Sequence, residues 1–180
     1  MKHRLPLGAC ILAALALVAF GLVYGTLRGY ADERREVEAL WEEANGLRDV
    51  LSYRAADGLN LCVVARRHLA ADDGTVLALS EAADALLDAS GPAESRAADE
   101  ALQAAFSALA HELEAAPGFQ DSERDRRYLE MLEADFQSLG TSAAAETYNR
   151  AAGEFNALLD APLTGALARL LGVTPCEAYE

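Results

Sequence analysis

Apolar and small residues fall along this chain in two kinds of run. The first is unbroken. Residues 5–27 contain no charged side chain, and a helix of ~20 such residues spans the hydrocarbon of a bilayer. The second kind is periodic. Val37, Leu40, Ala44, Leu47, Leu51, Ala55, Gly58, Cys62, Ala65 and Leu69 step by three and four, which predicts one helical stripe roughly 50 Å long, weakened locally at Gly46 and Gly58. Asp72-Asp73-Gly74 predicts a break. Val76, Leu79, Ala83 and Leu86 then mark a second helix that stops at Ser90-Gly91-Pro92. Leu102, Ala105, Phe106, Leu109 and Leu113 stripe a third, ended by Pro117-Gly118. Asp121-Ser122 offers a cap for a fourth, whose stripe runs through Leu129, Leu132, Phe136, Leu139, Ala144, Tyr148, Ala151, Phe155 and Leu159. Pro162 breaks it, and a short amphipathic piece over residues 163–171 stops at Gly172.

Each stripe must be buried, and short connections favour antiparallel neighbours. The pattern therefore predicts an all-α fold: an antiparallel up-down helical bundle with an N-terminal transmembrane helix. Residues 1–28 form the cytoplasmic stub and signal-anchor, and residues 29–180 the bundle. Composition agrees. Alanine makes up about a fifth of the 180 residues, well above the globular norm, and β-branched residues are scarce.

Charge narrows the partners. The net charge is −14, and every acidic residue lies at Asp32 or later, whereas Lys2 and Arg4 precede the apolar stretch. So acidic a domain repels phosphate, which excludes nucleic acid, and it does not lie flat on anionic lipid. What remains is the membrane through residues 5–27 and a protein partner or self-association. The basic start resembles a secretory signal, but a cleaved signal has a shorter apolar region, and Val23-Tyr24-Gly25 is a weak cleavage site. An uncleaved membrane anchor follows. The basic start places the C-terminal domain outside the cytoplasm, against the opposing pull of Arg28, Arg34 and Arg35. Leu7-Gly8-Ala9-Cys10 has the look of a lipobox, but the apolar stretch follows Cys10 and does not precede it.

Catalytic constellations are sparse. His111-Glu112 begins a zinc-protease motif, yet Ala115 stands where the second ligand belongs. No Glu-x-x-His, glycine-rich phosphate loop or G-x-S-x-G occurs. Asp72-Asp73-Gly74 is turn chemistry, and the cysteines lack metal spacing. Cys62 and Cys176 either pair or remain free thiols. His68 and His111 read as packed or solvated. No catalytic, cofactor-binding or metal residue is predicted, and no cofactor. The informative polar residues are asparagines. Tyr148-Asn149 and Phe155-Asn156 repeat at a spacing of seven, and Asn60 follows Arg54 by six. Such asparagines either sit at the surface or make an ordinary inter-helix hydrogen bond, or they fix helix register in an alanine-rich core.

The apolar start, Tyr30, Arg54 with Asn60-Leu61, Pro117, Tyr148-Asn149 with Phe155-Asn156, Pro162, Gly172 and the ending Ala178-Tyr179-Glu180 together resemble the LemA family over nearly the whole chain. Tyr53, Leu59, Ser138 and Phe155 depart from the family's pattern. The resemblance implies a membrane-anchored antiparallel bundle. Arg54, Asn60, Leu61, Tyr148, Asn149, Phe155, Asn156, Gly172, Tyr179 and Glu180 are then its structural motif residues. It implies no established activity, and some relatives are associated with organising bacterial membranes. The expected function is that of a non-catalytic interaction or membrane-organising scaffold. The alternative is an extracytoplasmic ligand-binding or sensory bundle that signals through a separate membrane partner. An enzyme would need carboxylates that converge only in three dimensions.

Overall fold

A computed structural model describes residues 7–70 and 72–180; Lys2, Arg4 and the start of the apolar stretch at Leu5 lie outside the described residues. The described residues form eight helices and no strand: α1 (Leu7–Glu42), α2 (Leu47–Ala65), α3 (Gly74–Asp88), α4 (Pro92–Ala115), α5 (Pro117–Gln120), α6 (Glu123–Gly140), α7 (Ala143–Leu159) and α8 (Thr164–Leu170). The chain divides into two compact units, one of residues 1–38 with 151–176 and the other of residues 39–150 with 177–180.

In the first unit α1 is long and apolar enough to cross a membrane, and none of its most apolar window is buried. A core helix of that composition would be covered. The same helix runs on, without a break at Val23-Tyr24-Gly25, to a buried Tyr30. The Tyr30 ring meets Phe155 edge-on at 6.2 Å, and its hydroxyl donates to the Leu158 carbonyl at 2.8 Å. Gly172 closes α8 with φ +90°, the left-handed region that a side chain disfavours.

In the second unit α2 packs against α3, α4 and α6. Its stripe is the predicted one: Leu47, Leu51, Ala55, Gly58, Cys62 and Ala65 are all buried. Val76, Leu79, Ala83 and Leu86 of α3 and Leu102, Phe106, Leu109 and Leu113 of α4 are buried opposite. Each such leucine contributes roughly 1.5–3 kcal/mol. Local chemistry sets the ends. The Asp73 carboxylate accepts from Thr75 N, Pro92 occupies the first turn of α4, and the Ser122 hydroxyl accepts from Asp125 N.

Two predicted helices are each divided. The stripe over residues 36–70 is interrupted at residues 43–46, where Asn45 takes φ 66° and Gly46 caps α2. A side chain at Gly46 would meet the carbonyl oxygens of Glu43, Leu40 and Trp41 at 2.8–2.9 Å. Gly58, which lowers helix propensity as much, stays helical because packing holds it there. The stripe from Leu129 to Leu159 is likewise cut at Thr141-Ser142, between α6 and α7.

Candidate functional site

The feature richest in polar chemistry lies in the second unit, around Arg54. This side chain projects from the buried face of α2 and is 3% exposed. Its guanidinium is held on three sides. Nε donates to Asp99 Oδ1 at 2.7 Å, Nη1 to the Phe136 carbonyl at 2.7 Å and Nη2 to Gln103 Oε1 at 3.0 Å. It also lies over the Phe136 ring, 4.0 Å from the centroid, and that ring stacks on Phe106 at 4.1 Å. A planar, delocalised cation suits this sandwich of fork and ring; a lysine would not.

The second oxygen of Asp99 accepts from the Tyr179 hydroxyl at 3.0 Å. Burial and the Asp99 carboxylate push the Tyr179 phenol well above its ordinary range. The terminal segment that brings Tyr179 here is held through its backbone. Asn149 donates from Nδ2 to the Tyr179 carbonyl and accepts from the Tyr179 N–H, both at 2.7 Å. The Tyr148 hydroxyl donates to the Glu177 carbonyl at 2.8 Å. In the first unit Asn156 repeats the device on Cys176, donating to its carbonyl at 2.9 Å and accepting from its N–H at 2.8 Å. A carboxamide used this way supplies the donor and acceptor that a neighbouring β-strand would offer.

Beside Arg54, the α4 and α6 surfaces enclose an open cleft of about 730 Å³, a size typical of small-molecule sites. Arg54, Phe106 and Phe136 line its buried side, and Gln103, His111, Glu114 and Glu133 its rim. Burial and the neighbouring Glu114 and Glu130 raise the Glu133 carboxyl. Arg96 pairs with Glu100 at 2.8 Å and faces the Tyr179 ring at 5.6 Å.

A second polar cluster caps α6. Asp125, 3% exposed, accepts from Arg67 Nη1 at 2.6 Å, from Arg124 Nε at 3.3 Å and, on its other oxygen, from His68 Nε2 at 2.9 Å. The His68 bond, with the Ser122 and Arg124 contacts, holds its carboxyl down at about 2. The His68 ring meets Phe119 edge-on at 5.4 Å, so this histidine is packed. His111 is exposed.

The motif residues separate accordingly. Arg54, Tyr148, Asn149 and Tyr179 share the cluster described above, and Leu61 is buried in the same unit's core. Phe155, Asn156 and Gly172 belong to the first unit. Asn60 and Glu180 are exposed, so Asn60 does not join Arg54. Cys62 and Cys176 are free thiols. Sequence reasoning missed Asp99, Gln103, Gly140 and Asp125. Among the described residues no group of three or more His, Cys, Asp or Glu side chains is placed to hold a metal ion, and every buried side-chain nitrogen or oxygen has a hydrogen-bond partner. In the Arg54 cluster both Asp99 oxygens and each of the three guanidinium nitrogens have a hydrogen-bond partner. No family model matches the chain, and no curated protein matches its sequence.

Proposed function

We propose that this chain is a single-pass membrane-anchored helical-bundle protein of the LemA type. It acts as a non-catalytic interaction or membrane-organising scaffold in a bacterial cell envelope, with its antiparallel bundle outside the cytoplasm. The observation that carries this reading is α1. Its apolar residues are exposed on every side, and the same unbroken helix continues to Tyr30 and beyond. A removable leader would be cut within that helix. Saturation of the buried polar groups supports a holding role over a catalytic one.

The test has two parts. The full chain should stay in the membrane pellet after an alkaline carbonate wash, and a C-terminal alkaline phosphatase fusion should be active. Release into the supernatant would overturn the anchor, and an inactive phosphatase beside a fluorescent C-terminal reporter would reverse the orientation. Crosslinking in cells should then give a reproducible partner or homo-oligomer. The cleft beside Arg54 favours a second reading, an extracytoplasmic ligand-binding bundle that signals through a separate membrane partner. A metabolite screen by thermal shift on the detergent-solubilised chain, with stabilisation abolished by Gln103→Ala, would support that reading over the scaffold.

A further inference from the structure

The first unit carries an apolar ledge that its own core does not cover. Leu163 is 84% exposed, Leu170 83% and Leu158 45%. These three residues span the corner between α7 and α8. Its height along α1 is fixed by contacts within the unit. The Tyr30 hydroxyl, bonded to the Leu158 carbonyl, also lies 3.5 Å from Thr164 Oγ1. Tyr30 is three residues past Leu27, about 4.5 Å further along the helix axis. A shallow groove of about 390 Å³ is lined by Gly25, Gly29, Leu158 and Thr164, with Glu33 at its far side from the apolar stretch along α1, so the corner reaches the level where that stretch ends. The chain then climbs away, and Arg34 Nη1 donates to the Thr174 carbonyl at 3.2 Å and its hydroxyl at 3.1 Å.

Charge is sparse along the segment that forms the corner. The chain is 24% charged, yet residues 155–176 hold only Asp160 and Arg169. These two pair with each other. An otherwise acidic protein thus presents a neutral, leucine-tipped corner at the height where α1 leaves its apolar stretch. We propose that this corner is a second membrane contact, with Leu163 and Leu170 seated at the boundary between headgroups and acyl chains of the bilayer that α1 spans. The proposal rests on the anchoring reading. Its occupant is lipid because the two charges on the corner cancel and because an inserted α1 is itself surrounded by lipid at this height. A neutral contact does not require anionic lipid, so the self-repulsion of the acidic domain from such lipid is no obstacle.

The experiment uses the full chain in vesicles of phosphatidylcholine, compared with the same lipid brominated at shallow acyl positions. Separate variants Leu163→Trp and Leu170→Trp place an indole on the corner. Leu15→Trp reports on α1 and Leu77→Trp on α3, and the wild-type chain supplies the background of its single Trp41. In brominated lipid, introduced emission should fall at least twofold at 163, 170 and 15, and by under a tenth at 77. Quenching at 15 with none at 163 and 170 would overturn the corner and leave the anchor intact. A blue-shifted but unquenched indole at 163 would do the same, by assigning the ledge to a second copy or another protein. No quenching at 15 would overturn the anchor and the corner with it.

Discussion

Gly140 sits on the last turn of α6, against the Arg54 head. A methyl group there would overlap Arg54 Nη1, the atom that donates to the Phe136 carbonyl. Gly140→Ala must therefore displace a guanidinium that is fixed on three sides, at a cost of about 1–3 kcal/mol. Gly153 on α7 is the matched contrast, since a methyl there meets nothing within 4 Å. Gly153→Ala should gain roughly 0.5–1 kcal/mol of helix stability. Urea unfolding in detergent, followed by far-UV circular dichroism, should move in opposite directions for the two variants. Arg54→Met tests the cluster itself. It leaves Asp99 buried without its cation, and breaking a buried pair on one side costs roughly 3–5 kcal/mol. If Arg54→Met were as stable as wild type, the cluster would not hold this unit together. None of this was legible from spacing. Arg54 and Asp99 lie on different helices, and nothing local marks a charge as buried. Gly140 looks like an ordinary helix end.

At the scale of elements, the helices were legible because their stripes are regular and their ends carry recognisable punctuation at Asp73, Pro92, Pro117 and Ser122. The two divided helices were harder, because the stripe continues in phase across both breaks. Asn45-Gly46 carried a usable signal, the pair most tolerant of left-handed backbone. The terminal segment was illegible, since residues 173–180 have neither periodicity nor regular structure. Asn149 and Asn156 neither bridge helices nor fix a helix register; what they hold is the backbone of Tyr179 and Cys176. Each pair of bonds contributes about 1–3 kcal/mol at ~0.5–1.5 kcal/mol apiece. Asn156→Ala should speed amide exchange at Cys176, and Asn149→Ala at Tyr179, while Asn60→Ala, at an exposed position, should change neither. Equal exchange in Asn149→Ala and wild type would show that the carboxamide does not retain the segment.

For the whole molecule, the pH limits of the second unit follow from two groups displaced in opposite directions. The Asp125 carboxyl is held from 3.8 down to about 2 by its bond from His68, then by Ser122 and Arg124. Between pH 4 and 2 the unfolded chain takes up a proton there that the folded chain refuses. The stabilisation is thus complete above pH 4 and is lost as pH falls toward 2. Tyr179 behaves conversely. Burial and Asp99 raise its phenol above the ordinary 10.0, so the unfolded chain gives up a proton above pH 10 that the folded chain keeps. This contribution is present below pH 10 and declines as pH rises past it. Trp41, 8% exposed and packed on Tyr148 at 5.5 Å, is the only tryptophan and lies in the same unit. Its emission reports urea unfolding of this unit. The midpoint for wild type should fall from pH 4 to 2 more steeply than for Asp125→Asn, and from pH 10 to 11 more steeply than for Tyr179→Phe. Each variant should keep the wild-type slope on the other limb, because each removes one proton-linked site and leaves the other in place. Parallel wild-type and variant curves on both limbs would mean that neither contact is linked to folding, and that the acid and alkaline limits come from the dispersed surface charge of a chain carrying a net −14.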